Sequence, residues 1–310
     1  MTLAVLLTGQ GAQHPEMFAL TAARPAAQGI FAAAKPLLGG TDPRDLVRRY
    51  GAALHGNRTG QVLCCVAALA AWTIVAEAGP ARTILAGYSI GDLAAWGCAG
   101  RLDPEAVLRL AASRAEAMDA ASGEGYGLAG IRGLTLDDIA RRAGRLGCHL
   151  AIRNAADSAV VGGLRDGLEA LCAEALTAGA QRAVLLPVHT PSHTPFLNAA
   201  SDTFAEAMAK ETLRRPPPGA PRLLSGLDGA AVFDARTGRE KLARQIAQTI
   251  DWAACLEACR EFGASSVLEL GPGHALATMA RAALPEARIH ALEDFRSDEG
   301  VIAWIGEGGR

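Results

Sequence analysis

Leu85-Ala86-Gly87-Tyr88-Ser89-Ile90-Gly91-Asp92 joins an apolar run, Thr83 to Ala86, to a helical pattern over Ile90 to Gly100. Strand, Gly-x-Ser-x-Gly, helix is the sequence form of a nucleophile elbow. The turn is tight, so the flanking positions need glycine, which has no Cβ to clash. The serine then projects at a helix N-terminus, where free N–H groups and the positive end of the dipole favour an oxyanion. A chain with 35 glycines can produce this motif by chance. The strand before it and the helix after it are what give it weight.

Outward from the elbow, the pattern is α/β. Leu3 to Leu7 is a continuous apolar run, as expected of a strand buried on both faces of a parallel sheet. It ends in Gly9-Gln10-Gly11-Ala12-Gln13, placed to aim a backbone N–H into a site. Gly60 to Ala78 reads as a buried helix with almost no polar face. Its longest apolar run, Val62 to Ala76, falls short of a membrane span. Asp103-Pro104-Glu105 starts a helix that carries Arg114. Gly125-Tyr126-Gly127-Leu128-Ala129-Gly130 matches a dinucleotide fingerprint literally, but it follows a helix and lacks the acidic residue about 20 positions on.

From residue 126 the order is β, α, β, β, α, β, ending at Leu185, which is that of a ferredoxin-like unit. The expected division is a body of residues 1–125 and 189–310 with an inserted subdomain at 126–188. Further strands and helices are expected at Arg222 to Leu224, Glu240 to Ile250 (helical), Asp251 to Phe262 (helical) and Ser266 to Leu270, with a last helix after Gly271-Pro272-Gly273-His274.

The 310 residues are 50% hydrophobic and 20% charged, with a net charge of −2. That balance argues against general nucleic-acid binding. Seven cysteines without metal-like spacing suggest reduced core thiols in a cytosolic protein. No charged segment precedes the first apolar run, so no signal peptide is expected. The expectation is therefore cytoplasmic, with neither membrane nor metal.

A serine nucleophile needs a base. Of the seven histidines, His189, His193, His274 and His290 lie in plausible body loops. A hydrolase order would be met by Ser89, Asp228 or Asp251, and His274. A patatin-like dyad of Ser89 with Asp228 is a second option, though no glycine-rich oxyanion loop of patatin type stands near the N-terminus.

The ordered set Gly9-Gln10-Gly11-Ala12-Gln13, Gly87-Tyr88-Ser89-Ile90-Gly91-Asp92, Arg114, Asn154, Pro191-Ser192-His193, Trp252 and Gly271-Pro272-Gly273 resembles the malonyl-CoA:acyl-carrier-protein transacylases over nearly the whole chain. The resemblance implies an α/β-hydrolase-like body, mostly parallel, with an inserted ferredoxin-like subdomain. It implies Ser89 as the acylated residue, His193 as base, the N–H groups of Gln10 and Ile90 as oxyanion hole, and Arg114 as the carboxylate receptor. Asn154 would support the site. Asp251, near Trp252, would orient His193 by side chain or by backbone carbonyl. No bound cofactor is implied, only a CoA thioester and the phosphopantetheine arm of an acyl-carrier protein.

Where the family usually has Gly-His-Ser-x-Gly-Glu, this chain has Tyr88 and Asp92. Tyr88 resembles the epsilon-subunit branch of malonate decarboxylase, which would add the other subunits of that enzyme as partners. The alternatives are a housekeeping fatty-acid or polyketide transacylase and, on the same elbow, a serine hydrolase or thioesterase. Three basic clusters, Arg44/Arg48/Arg49, Arg141/Arg142/Arg145 and Arg214/Arg215, are candidates for receiving an acidic carrier, with the insert cluster preferred.

Overall fold

The computed structural model describes residues 2–49 and 51–307. Among the described residues, ten strands run in chain order: β1 (Thr2–Leu7), β2 (Thr83–Gly87), β3 (Tyr126–Arg132), β4 (His149–Ala155), β5 (Ser158–Leu164), β6 (Arg182–Leu185), β7 (Arg222–Leu223), β8 (Ile250–Asp251), β9 (Ala264–Leu270) and β10 (Arg288–Ala291).

β1 is the centre of a parallel sheet ordered β10-β9-β1-β2-β7. Its side chains alternate between two apolar cores. Leu3, Val5 and Leu7 enter the one that holds Phe31, Trp96 and Phe204, while Ala4 and Leu6 enter the one that holds Trp252 and Leu276. Both faces are covered, which is why the strand reads as an unbroken apolar run. Leu7 is in register with Gly87 on one side and Leu270 on the other. The Gly9 loop, the elbow and the Gly271 loop therefore leave the sheet side by side, at the carboxyl edge where α/β folds place their sites.

The second sheet is ordered β6-β3-β5-β4-β8. β3 to β6 pair antiparallel, as in a ferredoxin-like unit. Helices Leu136–Arg145 and Arg165–Thr177 cover one face around Ile139, Val161 and Leu171. The fifth strand was not foreseen. β8 comes from the returning segment 189–310 and lies parallel to β4, with Ile152 opposite Ile250. Leu128, Ile152 and Val160 also share a core with Trp252 and Leu276 of the body. The insert is thus tied to the body by backbone hydrogen bonds and by a common apolar layer. Gly127 and Gly130 lie within β3, as a non-nucleotide reading of that stretch requires.

Helix Asn57–Ala78 runs 22 residues, longer than the apolar run suggested, and by length and hydropathy it could span a membrane. Instead, 78% of its most apolar window is buried inside the protein. All seven cysteines are free, six of them buried.

Two expectations need correction. The helix expected at Glu240–Ile250 is Ala235–Arg244, because Asp234 caps it by accepting from Thr237 N–H at 2.8 Å. It stops before Gln245, leaving that carbonyl for use elsewhere. The helix after Gly273 is not the last element. Ala275–Ala283 is followed by β10 and by a final helix, Asp298–Glu307.

Candidate active site

The elbow is fastened to the end of β1. Tyr88 N–H donates to the Leu7 carbonyl at 2.9 Å, and Gly91 N–H to the Tyr88 carbonyl at 2.9 Å. Ser89 sits at φ 56°, ψ −117°, which residues other than glycine rarely adopt. The two glycines allow it. A Cβ on Gly91 would stand 2.1 Å from the Leu7 oxygen, and one on Gly87 would stand 2.1 Å from the Asp92 nitrogen. Ile90 is the first residue of the following helix, so its N–H belongs to the unsatisfied N-terminal set. The Gly9-Gln10 loop presses on the same turn: a Cβ on Gly9 would lie 3.1 Å from the Tyr88 oxygen and 3.6 Å from Ser89 Cβ. Gly9, next to Gln10 in the chain, and Ile90 therefore flank Ser89.

His193 arrives from the loop after β6. Its φ is 64°, and it is buried together with Thr190, Ser192 and Thr194. Nε2 lies 2.8 Å from Ser89 Oγ. Nδ1 bonds the Gln245 carbonyl, and the His193 backbone N–H bonds the Ile246 carbonyl at 2.8 Å. A carbonyl only accepts, so Nδ1 carries the proton of the neutral ring and Nε2 faces the serine hydroxyl with its lone pair. Burial lowers the imidazole to about 3, Arg114 pushes the same way, and the bond to Gln245 opposes.

Arg114 is buried in helix Pro104–Ala121. Nη1 donates to Gln61 Oε1 at 2.7 Å, and Nη2 has no partner among the described residues. Gln61 is held in turn by donating to Asn57 Oδ1 at 2.7 Å. Burial lowers the guanidinium to about 10, opposed by Cys65 and Asp92, so it is charged at neutral pH. A buried charge with half its fork open is costly unless something fills it. A carboxylate has the geometry to do so.

The acyl transferase domain model matches residues 5–288. This chain belongs to the acyl transferase domain family. It is 29% identical over 302 residues to the malonyl CoA-acyl carrier protein transacylase of Salmonella typhimurium, covering 94% of this chain and 96% of that one. The acyl-carrier-protein S-malonyltransferase of Burkholderia pseudomallei superposes with a TM-score of 0.89 at 28% identity, covering 98% of this chain and 100% of that one. A malonyl-transacylase solved in complex with its type II PKS acyl-carrier protein gives 0.90 at 26% identity, covering 98% and 99%.

In this acyl transferase the third member of a hydrolase-type triad is absent from the expected places. Asp251 does not hold His193. Its Oδ1 caps helix Trp252–Glu261 by accepting from Ala254 N–H at 3.0 Å, and its Oδ2 lies 3.5 Å from Arg153. The carbonyl that orients the His193 ring is that of Gln245, six residues earlier, on the chain released by the short helix. Asp228 pairs with Lys241 at 2.5 Å. His274 pairs with Asp294 at 3.0 Å.

Tyr88 and Asn154 do meet. The phenol donates to Asn154 Oδ1 at 3.1 Å, and the Tyr88 ring stands edge-on to Trp252 with centroids 5.3 Å apart. The bond links the elbow to β4 of the insert. Burial raises the phenol pKa, so Tyr88 stays protonated.

Three residues of the site went unread in the sequence. Gln245 was hidden inside an expected helix. Gln61 was legible as the polar residue in a nearly all-apolar helix, and it is fully buried. Asp92 stands out in the sequence only as a departure from the family's usual glutamate, yet it too is buried. Among the described residues, no cluster of histidine, cysteine or acidic side chains could hold a metal ion. Six of the eight arginines in the basic clusters are matched by nearby acids: Arg44 by Asp42, Arg48 by Asp45, Arg141 and Arg142 by Asp138, Arg145 by Glu174, and Arg214 by Asp103.

Proposed function

We propose that this acyl transferase moves malonyl from malonyl-CoA to the phosphopantetheine thiol of an acyl-carrier protein through a malonyl-Ser89 intermediate. The observation that carries the reading is a lone-pair Nε2 at 2.8 Å from Ser89 Oγ, with a buried, half-open Arg114 whose charge acts on His193. The malonyl carboxylate fills the open side of the Arg114 fork. His193 takes the Ser89 proton as Oγ attacks the thioester carbon. The oxyanion is received by the N–H groups of Ile90 and Gln10, donors typically worth about 10²–10³ in rate each. His193 then protonates the departing CoA sulfur. The carrier thiol repeats the sequence in reverse, which is ping-pong covalent catalysis.

The depressed basicity of His193 has a use in this scheme. Part of it comes from Arg114. A bound carboxylate offsets that charge, so the acid-bearing acyl group strengthens the base that activates its own attack.

The names of the relatives support a fatty-acid or polyketide carrier as acceptor at least as well as the carrier of malonate decarboxylase. Tyr88 at the position before the serine is the one feature that favours the second. The test presents malonyl-CoA with each kind of carrier protein and measures which is charged. Preferential charging of the malonate decarboxylase carrier assigns the epsilon-subunit role, and the opposite preference removes it. Acyl release to water that is indifferent to either carrier would make the protein a thioesterase instead.

A further inference from the structure

Asp92 lies in the first turn of the helix that starts at Ile90, and the bonds it makes are incompletely matched. Oδ2 accepts from Gly226 N–H at 2.9 Å and from Gln245 Nε2 at 2.9 Å. Oδ1 has no partner among the described residues, and neither does Gln245 Oε1. Both side chains are 1% exposed. Two acceptor atoms are thus orphaned on residues that are already bonded to each other. A buried carboxylate of this kind would leave a charge unpaired, at heavy cost. Arg114 makes no ion pair with it within 4.0 Å, since Arg114 is turned to Gln61.

We propose that Asp92 works as a neutral carboxylic acid whose Oδ1–H donates to Gln245 Oε1, making a two-point acid–amide pair that positions the Gln245 carbonyl behind His193. One proton satisfies both orphans: Gln245 Nε2 donates to Oδ2, and Oδ1–H donates back to Oε1. The carbonyl of the same Gln245 accepts from His193 Nδ1. The usual carboxylate of a triad is thus displaced by one residue and uncharged. Asp92 never touches substrate and is a positioning residue.

The surroundings agree. Burial raises the carboxyl to about 7, the Gly226 N–H and Arg114 pull it down, and Asp228 adds to the rise. Asp228 is itself offset by Lys241. On the helix Trp252–Glu261, the Cys255 thiol is driven up by burial and is neutral. Hydrogen bonding by the neutral form pushes in the same direction as burial.

The proposal rests on His193 being the base. The experiment compares infrared spectra of the intact enzyme and Asp92→Asn with aspartate carboxyl carbons isotopically labelled, and measures transfer against pH. At pH 6 the wild type should show a labelled carboxylic-acid carbonyl stretch that is missing in D92N and fades as pH rises. The wild-type rate should fall as Asp92 loses its proton at alkaline pH; D92N can form the same two-point pair without titrating, so it should retain most of the rate and lack that fall. D92A should lose on the order of 10²-fold in kcat, the scale of a misplaced catalytic group, with KM for malonyl-CoA unchanged.

A spectrum without the acid band, or a D92N enzyme as impaired as D92A, would overturn the proposal. The infrared result does not depend on any variant being active. His193→Ala separates the two readings: serine acylation at the wild-type rate in H193A would remove the base itself, whatever the state of Asp92.

Discussion

Ser89 and His193, 104 positions apart in the chain, are the two non-glycine residues with left-handed φ among the described residues, and their side chains meet at 2.8 Å. Backbone strain of this kind costs on the order of 1–3 kcal/mol per residue and persists only where the surroundings over-determine it. Here the determinants are identifiable. The elbow is fixed by Leu7, Gly87 and Gly91, and the His193 loop by the Ile246 and Gln245 carbonyls.

Gly91→Ala tests the elbow. Its new Cβ would overlap the Leu7 oxygen at 2.1 Å, and neither atom can move without moving β1. The expected loss of stability exceeds the usual range of about 0.5–3 kcal/mol for single substitutions. A thermal melt should show a large drop in Tm or no folded protein.

Arg114→Ala should impair malonyl transfer far more than acetyl transfer. Losing hydrogen bonds to a charged group is worth about 1.5–3 kcal/mol, or roughly tenfold to a hundredfold in kcat/KM for malonyl-CoA. Acetyl-CoA has no carboxylate to lose. Equal losses for the two substrates would contradict the assignment.

Asp251→Ala separates capping from catalysis. Removing the cap of helix Trp252–Glu261 should cost about 1 kcal/mol of stability, read from a denaturation midpoint. The pH dependence of kcat/KM should not move, because His193 is held by Gln245 instead.

The pH dependence carries a sign that can be worked out. His193 falls to about 3 in the folded chain from an ordinary value of 6.5. Between those values the unfolded chain binds more protons, so this group lowers stability as pH falls from 6.5 toward 3. Glu269 does the reverse. It is raised from 4.5 to about 7, chiefly by burial, while accepting from Leu276 and Ala277 N–H. Its contribution declines as pH rises through that window. Glu269→Gln should flatten the near-neutral slope of the stability curve, and the acid limb of kcat/KM for the free enzyme should lie well below pH 6.5.

Much of the fold was legible because burial on both faces leaves a plain signature. β1 is one apolar run, and the six insert elements fall where alternation and capping place them. β8 was not legible, since two residues, Ile250 and Asp251, carry no period. The candidate site was half legible. Ser89 has a local motif, and Arg114, Gln10, Ile90 and His193 came from ordered resemblance. Gln245 contributes a backbone carbonyl, which every residue possesses, so side-chain chemistry could not single it out. Asp251 offers a carboxylate, but a backbone carbonyl, that of Gln245, holds His193.

The most direct test is the mass of the peptide carrying Ser89 after brief exposure of the enzyme to malonyl-CoA, followed by acid quench. The wild type should gain one malonyl group on that serine, and addition of holo carrier protein should discharge it. Ser89→Ala should gain none and should not charge the carrier. A malonyl adduct in Ser89→Ala, or carrier charging without one in the wild type, would contradict the account.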